Sequence, residues 1–106
     1  MSIVAKVELK ADKDVSAGSE ASLSDLFITE KRKEFSLEGD VTKDKTTLKV
    51  TVAKLGILDA TADTTKKKGE KTSLWMLMKM SDFSKKVKAL ESIKKGDVLT
   101  ITVESV

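Results

Sequence analysis

The chain has 106 residues, with 20 Lys+Arg against 17 Asp+Glu and a formal net charge of +3, which bounds it to one domain, 1–106, with a small core. It contains no Cys, His, Pro or Tyr, and its aromatics are Phe27, Phe35, Trp75 and Phe83. These absences exclude zinc fingers, disulfide frameworks and nucleophile systems built on Cys or Ser–His.

Residues 3–9 alternate, with Ile3, Ala5, Val7 and Leu9 on one face and Val4, Lys6 and Glu8 on the other, which predicts a half-buried strand. Lys6 and Glu8 also interrupt the apolar stretch a signal peptide needs, so a cytoplasmic location is expected. No apolar run approaches the roughly 18 residues of a membrane span. Residues 11–22 (ADKDVSAGSEAS) read as a loop, and Leu23 to Ile28 as a short apolar segment that Ser22 or Ser24 could cap as a helical turn. A mixed-charge stretch, 30–34, leads into Phe35, Leu37, Gly39 and Val41, which alternate with polar residues as in a strand. Thr42 to Lys45 (TKDK) is a turn, and Thr47 to Leu55 a strand with Leu48, Val50 and Val52 inward.

Residues 59–71 (DATADTTKKKGEK) lack any large apolar residue and read as a long, exposed, basic connection. Ser73 to Met80 is apolar on both faces, the pattern of a central strand, with Leu74, Met76, Met78 and Met80 opposite Trp75, Leu77 and Lys79. A helix is predicted over about 82–94, with Phe83, Val87, Leu90 and Ile93 on one stripe and Gly96 as its stop. Val98 to Val106 closes the chain as an alternating strand. One helix among about five strands predicts a mainly β fold: an antiparallel five-stranded barrel of the oligonucleotide/oligosaccharide-binding (OB) type, with the helix before the last strand.

Charge is unevenly placed: residues 1–53 carry a net −1 and residues 54–106 a net +4. All the basic residues but Arg32 are Lys, which meets phosphate as a point charge and reads bases poorly. A Lys-rich surface that serves only solubility is the plain alternative.

From Lys33 to Val106 the order of features resembles the single-stranded-DNA-binding proteins of bacteria and phage. The likeness is carried by FSLEGDVTKD (35–44), by Thr47 to Leu55 followed by KKKGEKTSLW (66–75), and by FSKKVKALESIKKGDVLTITVES (83–105). A version lacking the family's acidic C-terminal tail is expected, with residues 3–9 taking the place of the family's last core strand. The pattern is that of a compact, phage-like version. The resemblance implies sequence-independent single-stranded DNA binding in replication or recombination, within the host cytoplasm if phage-encoded.

Trp75 is the expected stacking platform, with Leu77 beside it; burial in the core or at an oligomer interface is the alternative. Lys49, Lys54 and Lys79 on strands, and Lys66, Lys67, Lys68 and Lys71 on the long connection, are the expected backbone contacts. Single-stranded DNA is the expected partner, with RNA left open, and assembly into a homodimer or larger homo-oligomer is expected. No paired acids, Gly-rich phosphate cradle or cation-loop spacing is present, so no enzyme activity, cofactor or metal is expected. The competing reading is a small β-barrel structural or interaction protein, of a phage-assembly or inhibitor type, that uses the same face for protein contacts. A saccharide-binding barrel is a third reading, weakened by the scarcity of aromatics.

Overall fold

The computed structural model describes residues 2–106, and the fold is mainly β with antiparallel pairing throughout. The principal sheet has four strands: β1 (Ser2–Lys10), β4 (Thr47–Val52), β5 (Gly56–Thr61) and β8 (Val98–Ser105), in the order β1-β8-β4-β5. Two short ribbons accompany it. One pairs β2 (Glu20–Ala21) with β7 (Val87–Lys88), the other β3 (Glu34–Ser36) with β6 (Lys71–Ser73). Among the described residues three single-turn helices complete the fold: α1 (Leu23–Leu26), α2 (Leu74–Leu77) and α3 (Met80–Phe83).

The sheet follows from alternation. Register places Ala5 opposite Val103, Val103 opposite Val50 and Val50 opposite Leu58, so one inward row crosses all four strands. All four residues are buried. They join one core with Leu23, Leu26, Phe27, Leu74, Leu77 and Phe83. The strand expected over 47–55 is present as Thr47–Val52 and the one over 98–106 as Val98–Ser105, and the strand expected over 3–9 runs Ser2–Lys10 and pairs with β8. β1 and β5 are the two edges and do not pair with each other, so among the described residues the sheet does not close into a barrel.

Within β1 the register slips between Ile3 and Ala5. This bulge turns Val4 inward with Ala5, while Ile3 is 50% exposed, contrary to simple alternation. The Val4 carbonyl accepts the backbone N–H groups of Glu38 and Gly39, at 2.8 and 3.2 Å. The strand expected over 35–41 is accordingly short. It ends at Ser36, and Val41 rejoins the structure through a bridge to Lys66.

The long connection expected at 59–71 is shorter than its polarity suggested. A turn at Ala53–Leu55, with Lys54 at φ 68° and Gly56 at φ 114°, returns the chain as β5, whose Leu58 and Ala60 face the core. The polar members Asp59 and Thr61 occupy the outward positions of that strand, opposite Lys49 and Thr47.

The strand expected at 73–80 is replaced by β6 and α2. The Ser73 side-chain hydroxyl accepts the Met76 N–H at 3.3 Å and starts the helical turn. Leu74 and Leu77 then face the core from one side of the turn, and Met78, extended again and bridged to Ala62, is buried too, while Met76 is 59% exposed. Leu and Met are good helix formers, and an apolar run of this length fits either structure.

The helix expected over about 82–94 is a single turn. α3 ends at Phe83 with Ser84 as its C-cap, and Val87–Lys88 extend to pair with β2. Backbone hydrogen bonds between Ala89 and Ser19 (2.8 Å), and in both directions between Val15 and Ile93 (2.8 Å), keep the segment extended. Phe83 and Ile93 are buried as expected, but Leu90 is 71% exposed. Residues 11–22 are therefore a partner for this segment rather than a free loop. Ser22 caps α1 in a reciprocal box with Asp25: Asp25 N–H donates to the Ser22 hydroxyl at 3.1 Å, and Ser22 N–H to the Asp25 carboxylate at 3.0 Å.

Candidate nucleic-acid interface

Trp75 lies in the first turn of α2, half-buried at the molecular surface. Its indole meets the buried Phe83 ring edge-on, with centroids 5.7 Å apart and planes at 83°. Its backbone N–H donates to the Lys31 carbonyl at 3.2 Å, which fixes the 30–33 segment against α2. The Lys31 Nζ consequently sits 4.2 Å from the Trp75 ring centroid, and the Arg32 guanidinium carbon 5.8 Å from it. Both lie in the range of cation–π attraction.

Beside the ring is a surface depression of about 490 Å³ lined by Arg32, Glu34, Ser73, Trp75 and Met76. Glu34 and Ser73 face each other in the β3–β6 register, so the ribbon forms its floor next to the helical turn. The depression thus presents an aromatic surface, a thioether, a hydroxyl, a guanidinium and a carboxylate together. Such a set suits a planar ligand carrying an anionic group.

The expected site residues separate in the structure. Leu77 has no exposed surface and belongs to the core, because the helical turn directs it opposite to Met76. It is not a ligand contact. Lys49 stands on the outer face of the main sheet, flanked in register by Asp59 on β5 and Glu104 on β8. That face alternates in charge and is not a basic platform. Lys54 lies in the β4–β5 turn rather than in a strand, and its Nζ pairs with Asp97 at 3.2 Å. Lys79 also lies outside a strand; it is half-buried at the start of α3, where its backbone N–H donates to the Thr61 carbonyl at 3.0 Å.

Lys66 is half-buried and exchanges backbone hydrogen bonds with Val41, both at 2.7 Å. Lys67, Lys68 and Lys71 are exposed. The turn that carries the first two is held by acids: Lys67 N–H donates to the Glu70 carboxylate at 2.8 Å, and Lys68 N–H to the Asp40 carboxylate at 2.7 Å. Their side chains remain available, and the turn runs directly into β6 and then Trp75. The structure therefore associates the 67–71 lysines with Trp75 through one short run of chain. It sends Lys49 and Lys54 elsewhere.

Lys31, Arg32, Glu34, Ser73 and Met76 were not singled out by the sequence. The signal that could have found them is the basic triplet at 31–33, which contains the chain's one Arg in an otherwise acidic half.

Charge pairs around α1 are structural. The Lys86 Nζ lies 2.5 Å from the Asp25 carboxylate. That bond, with the Ser22 N–H, lowers the Asp25 pKa to about 2. Asp97 is held below the usual carboxylate range by the Lys94 N–H and by Lys54. Asp12 is lowered chiefly by the Thr29 N–H. Among the described residues no group of His, Cys, Asp or Glu is arranged to hold a metal ion, and no helix is long and apolar enough to cross a membrane.

No family model matches the sequence, and no curated protein or solved structure matches it either.

Proposed function

We propose that the protein is a non-enzymatic single-stranded nucleic-acid-binding protein, acting on DNA without strict sequence dependence, as in replication or recombination. The observation that carries this reading is the half-buried Trp75 ring with Lys31 and Arg32 against it and an open depression at its side. A base stacking on Trp75 displaces the Lys31 ammonium towards the adjacent phosphate. Arg32 and the exposed Lys67, Lys68 and Lys71 hold further phosphates along the same strand. Base–aromatic stacking contributes about 1–3 kcal/mol per base, and each neutralised phosphate adds to the salt dependence.

The resemblance of residues 33–106 to the single-stranded-DNA-binding family supports the same reading through the order of a strand, a basic segment and a Trp. The reading does not depend on a closed OB-type barrel, because β3, β6 and α2 build the site outside the four-stranded sheet. A single site of this size covers a short stretch of strand, so we propose that copies assemble on longer substrates. A second reading is favoured by Met76 and Met80, which are 59% and 46% exposed on either side of Met78: the Trp75 surface would then be a protein contact.

Trp75 is the only Trp and the chain has no Tyr, so intrinsic fluorescence reports on this site directly. Titration with an oligo(dT) of about 30 nucleotides, enough for more than one site of roughly 4–16 nucleotides, is expected to quench it at low salt. Added salt should reverse the quench. An unchanged spectrum at micromolar protein, with no mobility shift of the oligonucleotide, favours the protein-contact reading.

A further inference from the structure

The depression beside Trp75 presents both signs of charge, which a pure backbone-tracking groove does not need. Among the described residues the Glu34 carboxylate and the Arg32 guanidinium make no hydrogen bond or ion pair with the protein or with each other. Both line the space next to the indole, with the exposed Met76 on its rim. Its volume of about 490 Å³ lies within the roughly 300–1,000 Å³ of small-molecule sites, room for one nucleotide.

A carboxylate accepts hydrogen bonds and repels acceptors. Beside a stacked base it meets the Watson–Crick edge, which in unpaired strands is free for recognition. Guanine alone offers two adjacent donors there, N1–H and the exocyclic N2 amine, matching the two oxygens of one carboxylate. Adenine and cytosine place an acceptor next to their amine, and thymine sets its N3–H between two carbonyl oxygens. Arg32, at 5.8 Å from the ring centroid, is placed for the phosphate of the same nucleotide and offsets the cost of bringing a polyanion near Glu34.

We infer that Glu34 gives this site a preference for an unpaired guanine stacked on Trp75, superimposed on sequence-indifferent backbone binding. The inference rests on the nucleic-acid reading and adds a base-reading residue to it. A thymine-rich strand then binds through Trp75 and the cations alone, against the uncompensated charge of Glu34.

The test uses three oligonucleotides of about 15 residues, near the upper site size of a single small domain. One is all-thymine, one has an isolated guanine at every third position, and one carries hypoxanthine in place of those guanines, which removes only the N2 amine. Wild-type protein is expected to bind the guanine strand about fivefold more tightly than the thymine strand, the low end of what a bidentate base contact discriminates. The hypoxanthine strand should fall between them. Glu34→Gln should bring the three affinities together and raise the thymine affinity. Equal wild-type affinities, or a guanine advantage that survives in Glu34→Gln, overturn the inference and leave the nucleic-acid reading standing. Failure of all three strands to quench Trp75 overturns both.

Discussion

Trp75 and Phe83 meet edge to face, with ring centroids 5.7 Å apart and planes at 83°. Phe83 is fully buried, whereas Trp75 is half-buried. The pair therefore ties the surface aromatic to the core, so that Trp75 offers a fixed ring rather than a mobile one. Replacing Phe83 with Leu removes the edge contact, which is worth about 0.5–1.5 kcal/mol beyond the area buried. The variant is expected to lose about 1–2 kcal/mol in urea unfolding, the ordinary cost of a moderate core change. Its Trp75 emission should shift to the red as the ring gains solvent.

Leu77 and Trp75 are two residues apart, yet they take opposite roles. Leu77→Ala leaves a cavity beneath α2 and is expected to cost about 2–5 kcal/mol, read from the midpoint of chemical denaturation. Any oligonucleotide affinity of the folded fraction should be unchanged, because Leu77 has no exposed surface.

Gly39 lies against the β1 bulge. A Cβ at this position would collide with the Ile3 carbonyl oxygen, which is backbone and cannot swing aside. Gly39→Ala is expected to destabilise the fold by about 2 kcal/mol or more through overpacking. Gly18 and Gly69 have open space where a Cβ would go but adopt positive φ, at 85° and 90°. Alanine there should cost less, about 1 kcal/mol from backbone strain. Thermal denaturation of the three variants tests the ranking.

Asp25 carries a pH dependence. Its folded pKa is lowered to about 2 by the Lys86 ammonium and the Ser22 N–H, from an ordinary value of 3.8. A depressed carboxylate stabilises the fold above its unfolded pKa, and that contribution fades as pH falls from about 4 to 2. Solvent screening of this partly exposed pair reduces it to about 1 kcal/mol. Lys86→Met should therefore flatten the stability profile over that interval while leaving α1 capped. Ser22→Ala removes the cap and should cost about 1 kcal/mol at neutral pH.

The sequence made the main sheet legible where alternation was unbroken, as in Leu48–Val50–Val52 and Leu99–Ile101–Val103. The cap of α1 was legible only as Ser22 or Ser24; the reciprocal bonds between Ser22 and Asp25 decide for Ser22. β5 was not, since Asp59 and Thr61 are polar on the outward face and one Gly looks like a turn from either side. α2 and β6 were misread because Leu74 to Met78 is apolar enough for strand or helix, and only the Ser73 cap decides between them. The segment 84–93 carries a helical stripe that its long-range pairing with residues 15–21 overrides. The site was half legible: Trp75 and the 67–71 lysines share one run of chain, but Lys31, Arg32 and Glu34 reach Trp75 from about forty residues away in sequence. A pairing of that kind has no local signature.

The central claim is that the Trp75 ring, set among Lys31 and Arg32, binds single-stranded nucleic acid. Fluorescence anisotropy of a labelled oligo(dT) tests it most directly when wild type is compared with Trp75→Ala at low salt, with urea unfolding as the control for foldedness. The account predicts that the folded variant binds about 10- to 100-fold more weakly, the loss of about one stacked base. Equal affinity of a folded Trp75→Ala variant, or no binding by the wild type, would contradict it.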